Sequence, residues 1–256
     1  MGGEGLVVLG AALLGLCFGS FLNVCIIRLP LEHSLLRPPS SCPKCGARIT
    51  WRDNIPVVSW LLLRGRCRRC SAPISKQYPI IEAGIGLLWV GAVLWYGPTL
   101  QAVQAALLGT ILVGIAVTDA RHYLIPDEYT WGGLVLGLAL SLSGGAQGFL
   151  QAVLGAVTGF GLLFVVALAG RWAFKEEAMG GGDIKMMAMV GSFVGWKGVL
   201  LTVFLGSLIG SLVFLPLSLK RRRLVPFGVF LALGAAATFV AGDWVIQWYL
   251  QFLRSS

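Results

Sequence analysis

Six long apolar runs constrain this chain more than any other feature of its sequence. Each run is long enough for a helix to cross a hydrocarbon core of about 30 Å. The runs cover about residues 5–27, 80–96, 99–118, 148–169, 199–219 and 225–251. Two weaker runs, at about 127–143 and 184–195, are shorter or carry charge at one end. With 57% hydrophobic and 12% charged residues, the chain is predicted to be an all-α polytopic membrane protein with about eight transmembrane helices.

The basic residues predict how these helices are oriented. If eight helices cross the bilayer from an outside N-terminus, the cytoplasmic segments are 28–78, 119–128, 171–182 and 220–224. These four segments hold 17 of the 20 Lys and Arg residues, as expected because cytoplasmic loops are enriched in both. The net charge of +9 is explained by this rule and by anionic lipid. The lipid bilayer is therefore a predicted partner, and nucleic acid is not.

The long polar segment 28–78 divides the chain into three parts. We expect a first transmembrane helix at 1–27, which is retained and not cleaved as a signal peptide, and a small cytoplasmic domain at 28–78. A seven-helix membrane domain is expected at 79–256. The sequence predicts no oligomeric state.

The cytoplasmic segment carries two Cys-x-x-Cys pairs with 21 residues between them. The pairs are Cys42/Cys45 and Cys67/Cys70. Four thiolates at this spacing favour a tetrahedral, structural Zn²⁺ in a zinc-ribbon-like domain, because four protein ligands leave no position for a catalytic water. Two disulfides or a redox pair are the alternatives, and a reducing cytoplasm disfavours disulfides. The sequence leaves open whether apolar residues such as Trp51 cover the metal or lie on the bilayer.

Two aspartates near helix ends are the strongest catalytic candidates. Asp119 closes the third predicted span and Asp183 opens the sixth, so the predicted topology brings both to the cytoplasmic ends of their helices. Two close carboxylates share a proton, which leaves one as general base and the other as general acid. The only histidines are His33 and His122, and no persuasive Ser/His/Asp or Cys/His arrangement accompanies them. The pattern predicts an aspartic protease that activates water.

Gly180, Gly181 and Gly182 precede Asp183 directly. Glycine allows a close backbone approach, so these three residues are candidates for a loop that admits an extended substrate. A flexible loop or a packing surface of small residues is the plainer explanation. Lys185 is a candidate for pairing with a carboxylate or for reaching the membrane interface.

Two rival functions share part of this pattern. A transporter or channel with a zinc-ribbon lid would use Asp119, Asp183 and Lys185 as an ion or proton relay. Such a relay should continue outward, and helices three to seven offer no further acidic residue there. An intramembrane protease of the signal-peptide-peptidase kind would need deeper carboxylates and would give the four cysteines no role.

Five stretches resemble one family of enzymes in sequence and in order. They are FGSFLNVCIIRLP (18–30), CPKCGARITWRDNIPVVSWLLLRGRCRRC (42–70), YPIIEAGIG (78–86), DARHYLIPD (119–127) and GGGDIKMMA (180–188). The chain thereby resembles the bacterial type IV prepilin peptidases, also called leader peptidase/N-methyltransferases. The resemblance implies that Asp119 and Asp183 are the dyad of a GxGD-type aspartic endopeptidase. It also implies that the four cysteines bind zinc.

The same resemblance implies the substrate and a second activity. The enzyme would cut the basic leader from prepilins or pseudopilins at the cytoplasmic face of the inner membrane. It would then methylate the new N-terminus with S-adenosylmethionine. The family links methylation to the first cytoplasmic domain and adjoining helix ends, where Asn23, Arg28, Asn54 and Glu82 are weak candidates.

Overall fold

The computed structural model describes residues 2–175, 179–218 and 226–255, and all regular secondary structure in these ranges is helical. The α-helices are α1 (Gly3–Arg28), α2 (Val58–Leu62), α3 (Gln77–Tyr96), α4 (Leu100–His122), α5 (Asp127–Ser141), α6 (Gly145–Phe174), α7 (Gly181–Ser218) and α8 (Phe227–Ser255). Short 3-10 turns lie at Leu29–Leu31, Trp51–Asp53 and Leu142–Gly144. The predicted basic segment 220–224 lies outside the described residues.

Within the described part of the chain, six stretches are long and apolar enough to cross a membrane. They are Gly3–Leu31, Gln77–Tyr96, Leu100–His122, Asp127–Ala173, Gly181–Val213 and Phe227–Leu253. The predicted all-helical membrane fold is confirmed. The count differs from eight because α5 and α6 form one apolar stretch, and because the expected runs 184–195 and 199–219 are both part of α7. The eight crossings and their orientation stay predictions.

The chain forms two compact units, Met1–Thr110 and Ile111–Ser256. In the first unit, α1 packs closely on α3 through glycines. A Cβ on Gly19 would lie 2.7 Å from the Cα of Glu82, and a Cβ on Gly15 would lie 2.9 Å from the Cα of Gly86. The rings of Phe18 and Trp89 stack beside these contacts, with centroids 4.7 Å apart. Small residues therefore let the two backbones approach, as in membrane helix pairs generally.

In the second unit, α7 packs against α5, α6 and α8. Gly155 and Gly159 of α6 contact the α7 backbone at Gly191 and Met187 respectively. Later residues of α6 therefore contact earlier residues of α7, so α6 runs antiparallel to the first part of α7. A side chain at Gly155, Gly159 or Gly191 would separate the helices.

Gly195 reverses the direction of α7. Its φ of 67° and ψ of 176° are non-helical, and such a conformation is essentially restricted to glycine. Before it, Gly182 contacts Ile125, which also contacts Gly228 at the start of α8. After it, Gly210 contacts Phe230, again near the start of α8. An unbroken helix would hold positions 182 and 210 about 42 Å apart, so α7 consists of two antiparallel segments.

Candidate active site

Asp119 lies in the last turn of α4 and is only 6% exposed. Its Oδ2 atom accepts a hydrogen bond from the backbone N–H of Val229 at 3.2 Å. The backbone N–H of Gly228 donates to the same carboxylate. Both donors belong to the first turn of α8, where N–H groups without an i−4 partner favour a negative charge. The Val229 N–H also donates to the carbonyl of Pro226 at 3.3 Å. The carboxylate thus completes the start of a helix that is 110 positions away in sequence.

Asp183 is the third residue of α7, and its backbone N–H donates to the carbonyl of Gly180 at 3.2 Å. Its Oδ1 atom is buried and has no hydrogen-bond partner among the described residues. The Asp183 carboxylate lies close enough to Asp119 for the two to interact electrostatically. Burying a carboxyl oxygen without a hydrogen-bond partner costs free energy. Protonation of Asp183, or a hydrogen bond from a bound substrate, would reduce that cost.

Ile125 joins the segments that carry the two aspartates. The residue follows α4, precedes α5 and is 6% exposed. A Cβ on Gly182 would lie 2.9 Å from its Cβ atom, and a Cβ on Gly228 would lie 2.8 Å from its Cδ1 atom. One side chain therefore packs the end of α4, the start of α7 and the start of α8 together. This packing brings Asp119 and Asp183 into one site.

Two neighbouring carboxylates at a junction of helix ends can perform acid–base chemistry on water. The sequence predicted both aspartates as catalytic candidates, which stays a prediction, and it gave no indication of the contribution of α8. The donors there are backbone amides, which every residue except proline carries, so no side-chain pattern reports them. The signals available were the Pro226 that precedes α8 and the Gly228 in its first turn.

The four cysteines of the two Cys-x-x-Cys pairs converge. Their sulfur atoms all lie within 4.8 Å of one another, and the sulfur atoms of Cys42 and Cys70 are 3.8 Å apart. Four sulfurs bound tetrahedrally at about 2.3 Å would be separated by roughly 3.8 Å. The cluster therefore has the donor set and approximate spacing of a metal site.

The two pairs adopt the same local fold. The N–H of Gly46 donates to the carbonyl of Cys42, and the N–H of Ser71 donates to the carbonyl of Cys67, both at 2.9 Å. Both donor residues have positive φ, 67° for Gly46 and 56° for Ser71. Isolated bridges, Ser41 with Arg48 and Arg66 with Pro73, close the turns. Each pair thus forms a compact knuckle, and no β-strand forms in residues 28–78, all of which are described.

Backbone amides favour the thiolate form of Cys42 and Cys67. The N–H groups of Cys45 and then Lys44 lower the pKa of Cys42 to about 6. The N–H of Cys70 is the largest contribution to a lowered pKa at Cys67. Thiolates, and not thiols, bind metal, so the amides favour the binding form at Cys42 and Cys67. Burial and the neighbouring sulfurs raise the pKa of Cys70 to about 11.

Comparison with known proteins decides the family. Residues 13–96 match the Bacterial Peptidase A24 N-terminal domain, and residues 106–215 match the Type IV leader peptidase family. Proteins named prepilin leader peptidase/N-methyltransferase are 36% identical in Aeromonas hydrophila and 38% identical in Pseudomonas aeruginosa. These matches cover 93% and 96% of this chain, and 92% and 94% of the relatives. The chain belongs to the type IV leader peptidase family.

A relative of the same name in Myxococcus xanthus is 40% identical, over 83% of this chain. The chain spans 64% of the length of that protein. No solved structure gives a significant match. The resemblance predicted from the five stretches is confirmed, and the transporter or channel alternative finds no support.

Within this family member, the glycines before Asp183 have different surroundings. Gly181 and Gly182 are the first two residues of α7. Gly182 packs against Ile125, whereas a Cβ on Gly181 would meet nothing within 4 Å. A Cβ on Gly180 would lie 3.4 Å from Oδ2 of Asp183. Gly182 is therefore required for close packing, whereas the space beside Gly181 is open.

Lys185 pairs with a carboxylate, one of the two roles expected for it. Its Nζ atom donates to both carboxylate oxygens of Asp127 at 2.7 Å. Asp127 is the first residue of α5. The ion pair therefore ties the start of α7 to the start of α5, two residues after Asp183.

Three of the four candidate residues for the methyl-transfer site form hydrogen bonds with backbone groups of the first unit. Asn23 donates to the carbonyl of Tyr78 at 3.1 Å, and Arg28 donates to the carbonyl of Pro38 at 2.8 Å. The Glu82 carboxylate accepts the N–H of Val57 at 2.7 Å. The fourth candidate, Asn54, is exposed at the end of a 3-10 turn. These contacts explain the residues as structural ties between α1, α3 and the segment between them.

Proposed function

We propose that this chain is a membrane-embedded aspartic endopeptidase that removes the basic leader peptide of type IV prepilins or pseudopilins. Methylation of the new N-terminus from S-adenosylmethionine follows. Family membership supports both activities, since the relatives carry both in their names. The observation that carries the peptidase proposal is the convergence of Asp119 and Asp183 at one junction of helix ends.

In this proposal the two carboxylates share one proton. The ionised carboxylate takes a proton from water as the water oxygen attacks the scissile carbonyl carbon. The neutral carboxyl hydrogen-bonds the carbonyl oxygen, and a proton then passes to the leaving amine as the C–N bond breaks. Gly180 and Gly181 leave room beside Asp183 for an extended substrate. Lys185 holds the start of α7 in position through Asp127.

The site operates at the cytoplasmic face of the inner membrane, with the N-terminus outside and eight helical crossings. The reversal of α7 at Gly195 supports this topology, because it turns one long helix into two. The enrichment of basic residues in the proposed cytoplasmic segments supports it as well. The domains are the first transmembrane helix at 1–27, the cytoplasmic domain at 28–78 and the peptidase domain at 79–256.

The metal of the cytoplasmic domain is Zn²⁺, held by Cys42, Cys45, Cys67 and Cys70. It supplies a structural cross-link between the two knuckles, and no step of proteolysis passes through it. Zinc is favoured over other cations because tetrahedral sulfur sites suit it. Segments of about 50 residues are near the lower limit for a core without such a link.

For the methyl donor, Asn23, Arg28, Asn54 and Glu82 stay candidates. The polar atoms of three of them already hold backbone groups. We therefore propose that they shape the segment around the methyl-transfer site and do not grip S-adenosylmethionine directly.

The test combines purified protein in detergent or lipid with one prepilin and methyl-labelled S-adenosylmethionine. Mass spectrometry should find the free leader and a mature pilin that carries one labelled methyl group on its N-terminal residue. Intact prepilin would contradict the peptidase proposal. Cleaved but unlabelled pilin would contradict only the second activity.

A further inference from the structure

The first turn of α8 reaches the peptidase site, although it lies beyond residues 106–215, which match the family. The backbone N–H of Val229 donates to Oδ2 of Asp119 at 3.2 Å. The N–H of Gly228 donates to the same carboxylate. Helix α8 begins at Phe227, so both donors lie in its first turn, where N–H groups lack the usual i−4 partner. The Val229 N–H is shared, because it also donates to the carbonyl of Pro226 at 3.3 Å.

Gly228 permits this approach because it has no side chain. A Cβ at this position would lie 2.9 Å from Oδ2 and 3.2 Å from Cγ of Asp119, and 2.8 Å from Cδ1 of Ile125. Real Cβ atoms essentially never come within 3.0 Å of another heavy atom. Any larger residue would therefore displace the Asp119 carboxylate, the end of Ile125, or the helix start itself.

We propose that the first turn of α8 is a part of the peptidase site, in which Gly228 and Val229 position the Asp119 carboxylate. This inference rests on the proposed function. The Val229 amide holds Oδ2, which leaves Oδ1 as the oxygen that exchanges a proton with water. Backbone donors hold a carboxylate without side-chain freedom, and precise orientation of a catalytic group contributes directly to rate.

The first test removes one donor. Proline has no N–H and is tolerated in the first turn of a helix, and the preceding Gly228 has no Cβ to clash with its ring. Val229→Pro therefore removes the bond to Asp119 together with the weaker bond of the same N–H to the carbonyl of Pro226. Val229→Ala keeps the N–H and serves as the reference for loss of the side chain. We expect kcat for prepilin cleavage to be about ten- to a hundredfold lower in Val229→Pro than in Val229→Ala, with KM within about twofold.

The second test separates displacement of Asp119 from simple crowding. Gly228→Ala would press on both Asp119 and Ile125, whereas Ile125→Val removes the Cδ1 atom that lies nearest. The double variant Gly228→Ala/Ile125→Val should stay impaired in kcat relative to Ile125→Val alone. Gly161→Ala in α6, where a Cβ meets nothing within 4 Å, is the control and should match the wild type.

The outcomes are distinct. Wild-type cleavage together with equal kcat values for Val229→Pro and Val229→Ala would overturn this inference while leaving the proposed function intact. Recovery of full activity in the Gly228→Ala/Ile125→Val double variant would also overturn it, because the defect would then come from Ile125. If the proline variant fails to accumulate in the membrane, the double variant decides. If wild-type protein does not cleave prepilin, the proposed function and this inference fall together.

Discussion

The ion pair of Lys185 matters more for the position of a helix end than for the stability of the protein. Its Nζ atom contacts Asp127, and the two side chains are 35% and 55% exposed respectively. An ion pair with this much solvent around it contributes at most about 1 kcal/mol. The pair nevertheless fixes the first turn of α7, where Asp183 lies.

We predict that Lys185→Met and Asp127→Asn each lower kcat by up to about fivefold, since each loses the same weak link. The double variant should be no worse than either single variant, because the residues act as one unit. Steady-state cleavage of prepilin measures this. Glu128→Gln, a change at the next residue in the same turn, is the control. Additive losses in the double variant would mean that Lys185 has another partner, such as the substrate.

The sequence singled out the residues of the candidate site, but it did not predict some of their contacts. Asp119 and Asp183 stood out because acidic groups are rare at the ends of apolar helices. The bond from Val229 to Asp119 could not be foreseen, because it uses a backbone donor 110 positions away. The pairing of Lys185 with Asp127 was one of two possibilities that the sequence left open.

Among the helices, α7 departs most from its predicted form. The sequence suggests two runs, 184–195 and 199–219, and the structure joins them without a loop at Gly195. A hydropathy pattern shows which residues avoid water. A reversal of the helix direction at one glycine inside an apolar stretch changes that pattern very little. The two runs were therefore predictable, and the sharpness of the turn was not.

We predict that Gly195→Ala destabilises the protein by about 1–3 kcal/mol, the typical cost of a strained backbone conformation. A Cβ at this position meets nothing within 4 Å, so the effect should come from the backbone alone. The thermal unfolding midpoint in detergent measures it. Gly161→Ala, where space is also open, should change the midpoint little. Equal midpoints for the two variants would contradict the reversal.

The two Cys-x-x-Cys knuckles allow a test in which two substitutions should change metal binding in opposite directions. Gly46 and Ser71 occupy equivalent positions with positive φ, a conformation that costs a residue with a side chain roughly 1–2 kcal/mol. Gly46→Ala should therefore weaken metal binding, and Ser71→Gly should strengthen it. Competition with a zinc chelator measures both. Changes of the same sign would contradict the matched folds of the knuckles.

At the scale of the whole molecule, the sequence predicted an all-helical membrane protein because hydropathy and length are sufficient for that conclusion. The orientation depends on charge alone. Alkaline phosphatase, which is active only outside the cytoplasm, should be active when fused after residue 98 and inactive when fused after residue 75. The reverse pattern would contradict the proposed topology and the cytoplasmic active site.

The proposed peptidase activity as a whole depends on two side chains that act as one unit. Removing either member of such a unit costs about as much as removing both. The most direct measurement is the kcat for prepilin cleavage by purified Asp119→Asn, Asp183→Asn and the double variant, each checked for normal membrane insertion. We predict that both single variants lose cleavage and that the double variant is no worse. Cleavage at the wild-type rate by either single variant would contradict the shared-proton dyad.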